Sequence, residues 1–218
     1  ISDHLNYVPC SGLAEHMTDQ PRLGILMLDT KFPRIVGDVG NPDSFDFPVV
    51  YRTVPGATPK AIVEGDSRQW IDAFVHAGKA LVQSGCTGLA TTCGFLTLVR
   101  NEVATACGVP VASSSLEQIA VLASLLPSER TVGGLAISKA SLTPAHLIAA
   151  NAPHGLPVQG MDGSHFAEAI LRNARELDVE RARAEMIAAA QALCCANPNV
   201  AAIVLECTNM PPYATDIA

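Results

Sequence analysis

The sequence predicts an α/β protein with parallel sheet flanked by helices, whose two halves look alike, each with strands, helices and one terminal cysteine. Two observations predict it. Short apolar runs alternate with segments of helical period along the chain, the pattern of repeated βαβ units. Two of these runs end in cysteine: 88–93 closes on Cys93 and 201–207 closes on Cys207. Ligands of open parallel sheets bind beyond the carboxyl ends of the strands. Thiols delivered there from both halves of the chain are therefore expected to face one another.

Taken in order, 23–29 reads as a buried strand ending on Asp29, and 30–47, rich in Gly, Pro and Asp, as a long loop. Loops of that length in a compact domain tend to hold function, so this one is a candidate lid. A second strand is expected at 48–54 and a loop at 55–64. Asp66 or Ser67 caps a helix through Trp70, Ile71, Phe74, Val75 and Leu81, which Gly85 ends. The Cys93 strand comes after it, then a helix over 96–106, Gly108, and a short strand at 109–112. Ser113, Ser114 and Ser115 cap the helix carrying Glu117 to Leu126. The second half opens with a strand at 131–137, and Thr143-Pro144 starts a helix. A strand at 156–161 precedes a long Ala-rich helix over 164–196, broken near Leu177-Asp178, whose mixed charges form a solvated face. The Cys207 strand comes next, and Pro211-Pro212 starts a last helix. The lobes are expected at 1–113, joined by 210–218, and at 114–209.

The bulk composition narrows the function. The chain has 218 residues, 49% hydrophobic and 16% charged, enough for a sizeable core and too apolar for disorder. A net charge of −7 without a Lys/Arg run argues against nucleic acid and anionic membrane surfaces as partners. No apolar stretch approaches the roughly 20 residues of a membrane span. The N-terminal Ile1-Ser-Asp-His does not read as a signal peptide. Seven cysteines (Cys10, Cys86, Cys93, Cys107, Cys194, Cys195 and Cys207) make an odd number without a framework spacing, which suggests reduced thiols in a cytoplasmic protein. No metal site is expected, because no C-x-x-C pair or His cluster is visible. P-loop, Rossmann and nucleophile-elbow patterns are absent from the sequence.

Most apolar-strand cysteines are inert core residues, and Cys86, Cys107, Cys194 and Cys195 are read so. Cys93 and Cys207 differ in the residues next to them. Gly94 leaves the first thiol uncrowded, and Thr208 and Asn209 are polar groups beside the second. Helix N-termini just beyond are expected to lower the thiol pKa values and to attract a carboxylate. One thiolate would act as base and one thiol as acid. Asp29, at another strand end, either orients or polarises a thiol or a substrate ammonium on the same rim, or is a loop or helix cap. Arg52 and Glu117 are weaker candidates, and His146, His154 and His165 are read as surface or cap residues.

These motifs resemble the aspartate/glutamate racemase superfamily, which includes hydantoin racemases, arylmalonate decarboxylases and maleate isomerases. The similarity runs from Leu23 to Tyr213. It is carried by Leu205-Glu-Cys-Thr-Asn-Met-Pro211, by Thr91-Thr-Cys-Gly-Phe95 and by the Val132-Gly-Gly-Leu-Ala136 strand. The resemblance implies two pseudo-symmetric α/β lobes, each a mainly parallel sheet flanked by helices, with the active site in the cleft between them. It also implies proton transfer without a cofactor, with Cys93 and Cys207 as the catalytic thiols. It places Asp29, Thr30, Thr92, Gly94, Phe95, Thr208 and Asn209 around the substrate, with main-chain amides stabilising an enolate-like intermediate. Three positions depart from the amino-acid racemase pattern: Gly94-Phe95 stands for Asn-Thr, Asn209 for His, and Glu206 for a common Gly. Decarboxylase members lack the first cysteine, so that branch fits least. Family members continue beyond the second cysteine with a further helix and strand, so a longer native chain is expected. The resemblance therefore implies a cofactor-independent racemase or epimerase of an amino acid or hydantoin, and by family habit a homodimer. The alternatives are a maleate-type cis–trans isomerase and a non-catalytic ligand-binding relative.

Overall fold

A computed structural model describes residues 21–218; the readings made of the N-terminal segment and of Cys10 lie outside the described residues. In chain order the strands are β1 (Arg22–Leu28), β2 (Val49–Val54), β3 (Cys86–Thr91), β4 (Val111–Ala112), β5 (Thr131–Ala136), β6 (Val158–Gly160) and β7 (Val200–Leu205). The helices are α1 (Pro59–Val63), α2 (Ile71–Gln83), α3 (Arg100–Cys107), α4 (Ile119–Leu125), α5 (Pro144–Ala149), α6 (His165–Leu171), α7 (Val179–Ala196) and α8 (Ala214–Ile217). One sheet has the order β2-β1-β3-β4 and the other β6-β5-β7, and every pairing is parallel.

The sheets repeat one plan. In each, the first strand is central, the second lies on one side of it and the third on the other. The third strands, β3 and β7, are the ones that lead to Cys93 and Cys207. Because both faces of a parallel sheet are covered, the strands read as apolar runs. Ile25, Leu26 and Leu28 of β1 and Val132, Leu135 and Ala136 of β5 are buried accordingly. A continuous core joins the sheets through Phe74, Phe95, Met161, Phe166, Met186 and Tyr213.

Local chemistry accounts for the departures from the sequence reading. Segment 55–64, expected as loop, contains α1, because the Thr58 side chain accepts the Ala61 N–H and Pro59 takes the first helical position. The helix expected over 96–106 begins as a 3-10 turn at Gly94–Val99 before α3. Gly108 ends α3 at φ +70°, a left-handed conformation suited to glycine. The 164–196 segment is two helices: Asn173 turns left-handed at φ +54°, and Asp178 caps α7 by accepting the Arg181 N–H. Cys86 is buried and Cys107 half-buried, but Cys194 and Cys195 are exposed. The inner stripe of α7 is already filled by Ala182, Met186, Ala190 and Leu193, which leaves those two thiols outside the core. The mixed charges of α6, α7 and the segment between them lie outward at Arg172, Arg175, Glu176, Glu180 and Arg181, in pairs such as Arg172–Glu168, whereas Glu185 is half-buried and accepts the His165 and Phe166 N–H groups at the start of α6. Among the described residues, no helix is long and apolar enough to cross a membrane.

Candidate active site

Between the carboxyl ends of the two sheets lies a small cavity. Leu28, Thr30, Phe32 and Arg34 form one wall, and Pro59, Val63 and Ile170 another. The two strand corners close it, with Thr92 and Cys93 from the first and Glu206, Cys207 and Asn209 from the second, beside Ile137. Both thiols are therefore delivered to one cavity from opposite sheets, and each is only 7% exposed.

The corners are built alike. Thr92 lies just past β3 and donates its N–H to Leu26 O of the central strand β1 (3.1 Å), while its Oγ1 accepts the N–H of Leu28, two residues on (3.0 Å). Glu206 lies just past β7 and donates its N–H to Leu135 O of the central strand β5 (2.8 Å), while its Oε2 accepts the N–H of Ile137, again two residues on (3.2 Å). Each of these residues directly precedes its cysteine and pins the strand end that presents it. Thr91 Oγ1 fixes the first corner further by donating to Ser113 O (2.7 Å).

The thiols sit in different electrostatic surroundings. Burial, and then the charge of Glu206, push Cys93 up to about 12, opposed by the Phe95 N–H that points at the sulfur and by Arg34. Burial and Glu206 push Cys207 well above its ordinary value; Cys93 and Asp38 add to this, against the Asn209 N–H. The expected lowering by helix N-termini is thus overturned: desolvation of a buried thiolate outweighs one or two backbone donors. Both thiols are thus held protonated, and Cys207 Sγ donates to Asn209 Oδ1 (3.3 Å).

From Cys207 a polar chain crosses the cavity wall. Asn209 Nδ2 donates to Asp38 Oδ2, Asp38 Oδ1 pairs with Arg34 (2.7 Å), and Arg34 also donates to Thr30 Oγ1 from Nε (3.3 Å) and Nη2 (3.1 Å). The Arg34 guanidinium lies over the Phe32 ring at 4.8 Å. Arg34 and Asp38 side chains are 8% and 3% exposed, so this is a buried pair held by added hydrogen bonds. The segment expected as a lid is a fixed wall: Val39 donates to Thr208 O (3.3 Å), Asn41 to Arg34 O (2.8 Å), and Tyr51 Oη to Val39 O (3.0 Å).

Of the residues expected around the substrate, Thr30, Thr92 and Asn209 line the cavity and the others do not. Asp29 accepts the Gly56 N–H through Oδ2 (2.9 Å) and holds the turn before α1. Phe95 is fully buried against the His146 ring, 4.8 Å between centroids, and only its N–H serves Cys93. Thr208 donates its hydroxyl to Thr92 O (2.8 Å), tying one corner to the other. Gly94 makes room: a Cβ there would collide with Glu206 Oε1 and stand 2.9 Å from Ser114 Oγ. Glu117 binds Arg100 (3.4 Å), Arg52 is exposed, and His146 completes a capping box with Thr143. Sequence reasoning missed Arg34 and Glu206. Arg34 lies in the loop singled out for its length, and Glu206 is an acid inside an apolar run; those were the available signals.

No family model matches the chain. A dimethylsulfoniopropionate lyase of Durusdinium sp. clade D is 31% identical over 210 residues, which cover 89% of this chain and 67% of that protein. The chain belongs to the dimethylsulfoniopropionate lyase family. Dimethylsulfoniopropionate lyase 3 of Emiliania huxleyi is 27% identical over 209 residues, covering 91% of this chain and 54% of that protein. The chain thus spans from about half to two thirds of the length of these relatives. Among solved structures, a sulfate-associated arylmalonate decarboxylase mutant superposes with a TM-score of 0.56 at 16% identity (90% of this chain, 85% of that one). A putative Asp/Glu racemase from Yersinia pestis does so with 0.53 at 15% identity (88% and 87%).

The fold is accordingly that of the Asp/Glu racemase superfamily, as the motifs implied, whereas the function drawn from them is corrected. The relatives named by activity are lyases, not isomerases, and the racemase likeness extends to the fold alone. The isomerase readings give way to a lyase family.

Proposed function

We propose that this protein cleaves dimethylsulfoniopropionate, or a close β-sulfonio carboxylate, by elimination. The substrate carries a carboxylate at one end and a dimethylsulfonium cation at the other. A base removes a proton from the carbon next to the carboxylate; the C–S bond of the next carbon breaks with its electron pair going to sulfur. Acrylate and dimethyl sulfide result, with one proton released.

The observation that carries this reading is the pair of thiols in one buried cavity with a guanidinium, in a chain of the lyase family. A thiolate of the pair serves as the base. Arg34 is the cavity cation, and its planar fork suits a carboxylate. Pairing there withdraws charge from the carboxylate and eases loss of the neighbouring proton. The apolar wall of Leu28, Phe32, Ile137 and Ile170 receives the methyl groups of the leaving sulfide. A sulfonium near the thiols also offsets the cost of a buried thiolate. The same thiol chemistry that removes a proton in a racemase would begin this elimination. What differs is the substrate, whose leaving group sits one carbon away.

The test is headspace detection of dimethyl sulfide from purified protein and dimethylsulfoniopropionate. The expected result is sulfide release that either Cys93→Ala or Cys207→Ala abolishes. Folded wild-type protein that releases none would overturn the reading.

A further inference from the structure

The two corners differ by one oxygen atom. At the first, the Thr92 hydroxyl accepts the central-strand amide, and the position requires nothing more. At the second, Glu206 Oε2 makes the equivalent contact with Ile137, which leaves Oε1 over. Glu206 is 1% exposed, and its Oε1 has no hydrogen-bond partner among the described residues. It lines the cavity with both thiols and faces Gly94, where any side chain would collide with it. A buried oxygen without a partner costs stability, and the pinning role could be filled by a hydroxyl, as Thr92 shows.

We propose that Glu206 is a further catalytic residue of the lyase reaction, on which reading this inference rests: as substrate binds, it takes the proton of a cavity thiol and donates it through Oε1–H as a hydrogen bond to the substrate carboxylate. The S–H bond breaks with its pair left on sulfur, and an O–H bond forms on Oε1, directly or through one water. The thiolate then removes the proton next to the carboxylate, the C–S bond breaks, and the thiol is restored. Glu206 gives its proton to solvent as acrylate departs, which accounts for the one proton released per turnover.

The surroundings support this exchange. The charged and titratable groups that share the cavity with Glu206 are Cys207 beside it, Cys93 from the β3 corner, and Arg34 from the loop wall, which is paired with Asp38. The strand end after β5 offers the Ile137 amide, and the turn before α4 offers Ser114 and Ser115, none of them charged. Burial raises Glu206 to about 7, and its charge raises both thiols, so the site favours one negative charge at a time. A substrate with its carboxylate toward Oε1 and its sulfonium toward sulfur moves that charge onto sulfur.

The test compares wild type, Glu206→Gln and Glu206→Ala by the pH dependence of kcat/KM for dimethylsulfoniopropionate. The resting state (carboxylate, thiol) and the working state (acid, thiolate) hold equal numbers of protons. Wild-type kcat/KM therefore rises with pH to about 7 and levels off. In Glu206→Gln the thiol must lose its proton to solvent, so kcat/KM goes on rising past pH 7 and the limb moves up by about a pH unit or more. Glu206→Ala, without any donor, shows the same moved limb and a higher KM. An unmoved limb in both variants, whatever their rates, would overturn the proposal and leave Glu206 a structural pin. A second readout does not depend on turnover: iodoacetamide labelling of Cys93 and Cys207, followed by peptide mass spectrometry. Labelling should reach its plateau at lower pH in Glu206→Gln than in wild type; equal profiles would refute the coupling. Wild-type protein that makes no dimethyl sulfide would instead refute the lyase reading, and the labelling would still judge the thiol–carboxylate pair.

Discussion

Cys93 and Cys207 occupy the same place in two sheets of the same plan, yet their settings diverge. The first corner is apolar: Gly94, Phe95 and a 3-10 turn come after the thiol, and one backbone N–H reaches the sulfur. The second is polar: Cys207 donates to Asn209, which continues to Asp38 and Arg34, and Glu206 stands before it. The difference teaches that a duplicated scaffold can present two identical groups and still make them unequal. Position comes from the repeated strand pairing, and reactivity from what each corner buries beside its sulfur.

The largest break in that comparison is removal of either thiol. Cys93→Ala and Cys207→Ala are each expected to cut dimethyl sulfide release by about a thousandfold, the scale of an acid or base in proton transfer. Circular dichroism should show the fold retained. Next, Arg34→Met keeps the stem over Phe32 but removes the cavity cation. KM is expected to rise by about tenfold or more, with stability lowered because Asp38 is left buried without its cation, held only by Asn209 and the Gly40 N–H; steady-state kinetics at reduced temperature checks this.

Glu206 offers a test by stability. Its carboxyl is raised from 4.5 to about 7 in the folded state. The folded protein thus binds a proton that the unfolded chain has lost, so this group lowers stability as pH rises from about 4.5 to about 7. Glu206→Gln should lack that fall and be more stable than wild type above pH 7, by at most about 3 kcal/mol, read from urea unfolding at several pH values. Gly94→Ala probes the contact between the corners. A Cβ there collides with Oε1 and with the Glu206 carbonyl oxygen, so the carboxyl and the strand corner must both shift, at a cost of about 1–3 kcal/mol and with loss of turnover. Smallest of all, Asp29→Ala removes the acceptor for the Gly56 N–H. It should cost about 1 kcal/mol in thermal unfolding and leave kcat/KM unchanged, since Asp29 lies outside the cavity.

Much of this was written locally. The alternation of apolar runs and helical periods reveals both sheets, and a cysteine at the end of an apolar run marks each corner, because strand ends in parallel sheets are where sites form. The interruption near Leu177-Asp178 was expected from the sequence, whereas the Asp178 cap that makes it came from the structure. Arg34 was not, because its loop has no periodicity, and burial there depends on contacts with Asp38, Thr30 and Phe32 that only the folded chain makes. Asp29 could serve a rim or a turn; the Gly56 turn decided it. Glu206 was noticed as a departure from the family pattern, but its meaning needed the pairing with Ile137 that makes it the counterpart of Thr92. The reaction type was least legible. Two thiols flanking a carbon acid begin a racemisation and an elimination in the same way, and the leaving group belongs to the substrate.

The most direct test monitors dimethylsulfoniopropionate by proton NMR with wild type and the two single-cysteine variants. The account predicts acrylate and dimethyl sulfide in equal amounts from wild type, and from neither Cys93→Ala nor Cys207→Ala. Products formed at the wild-type rate by either variant would contradict it.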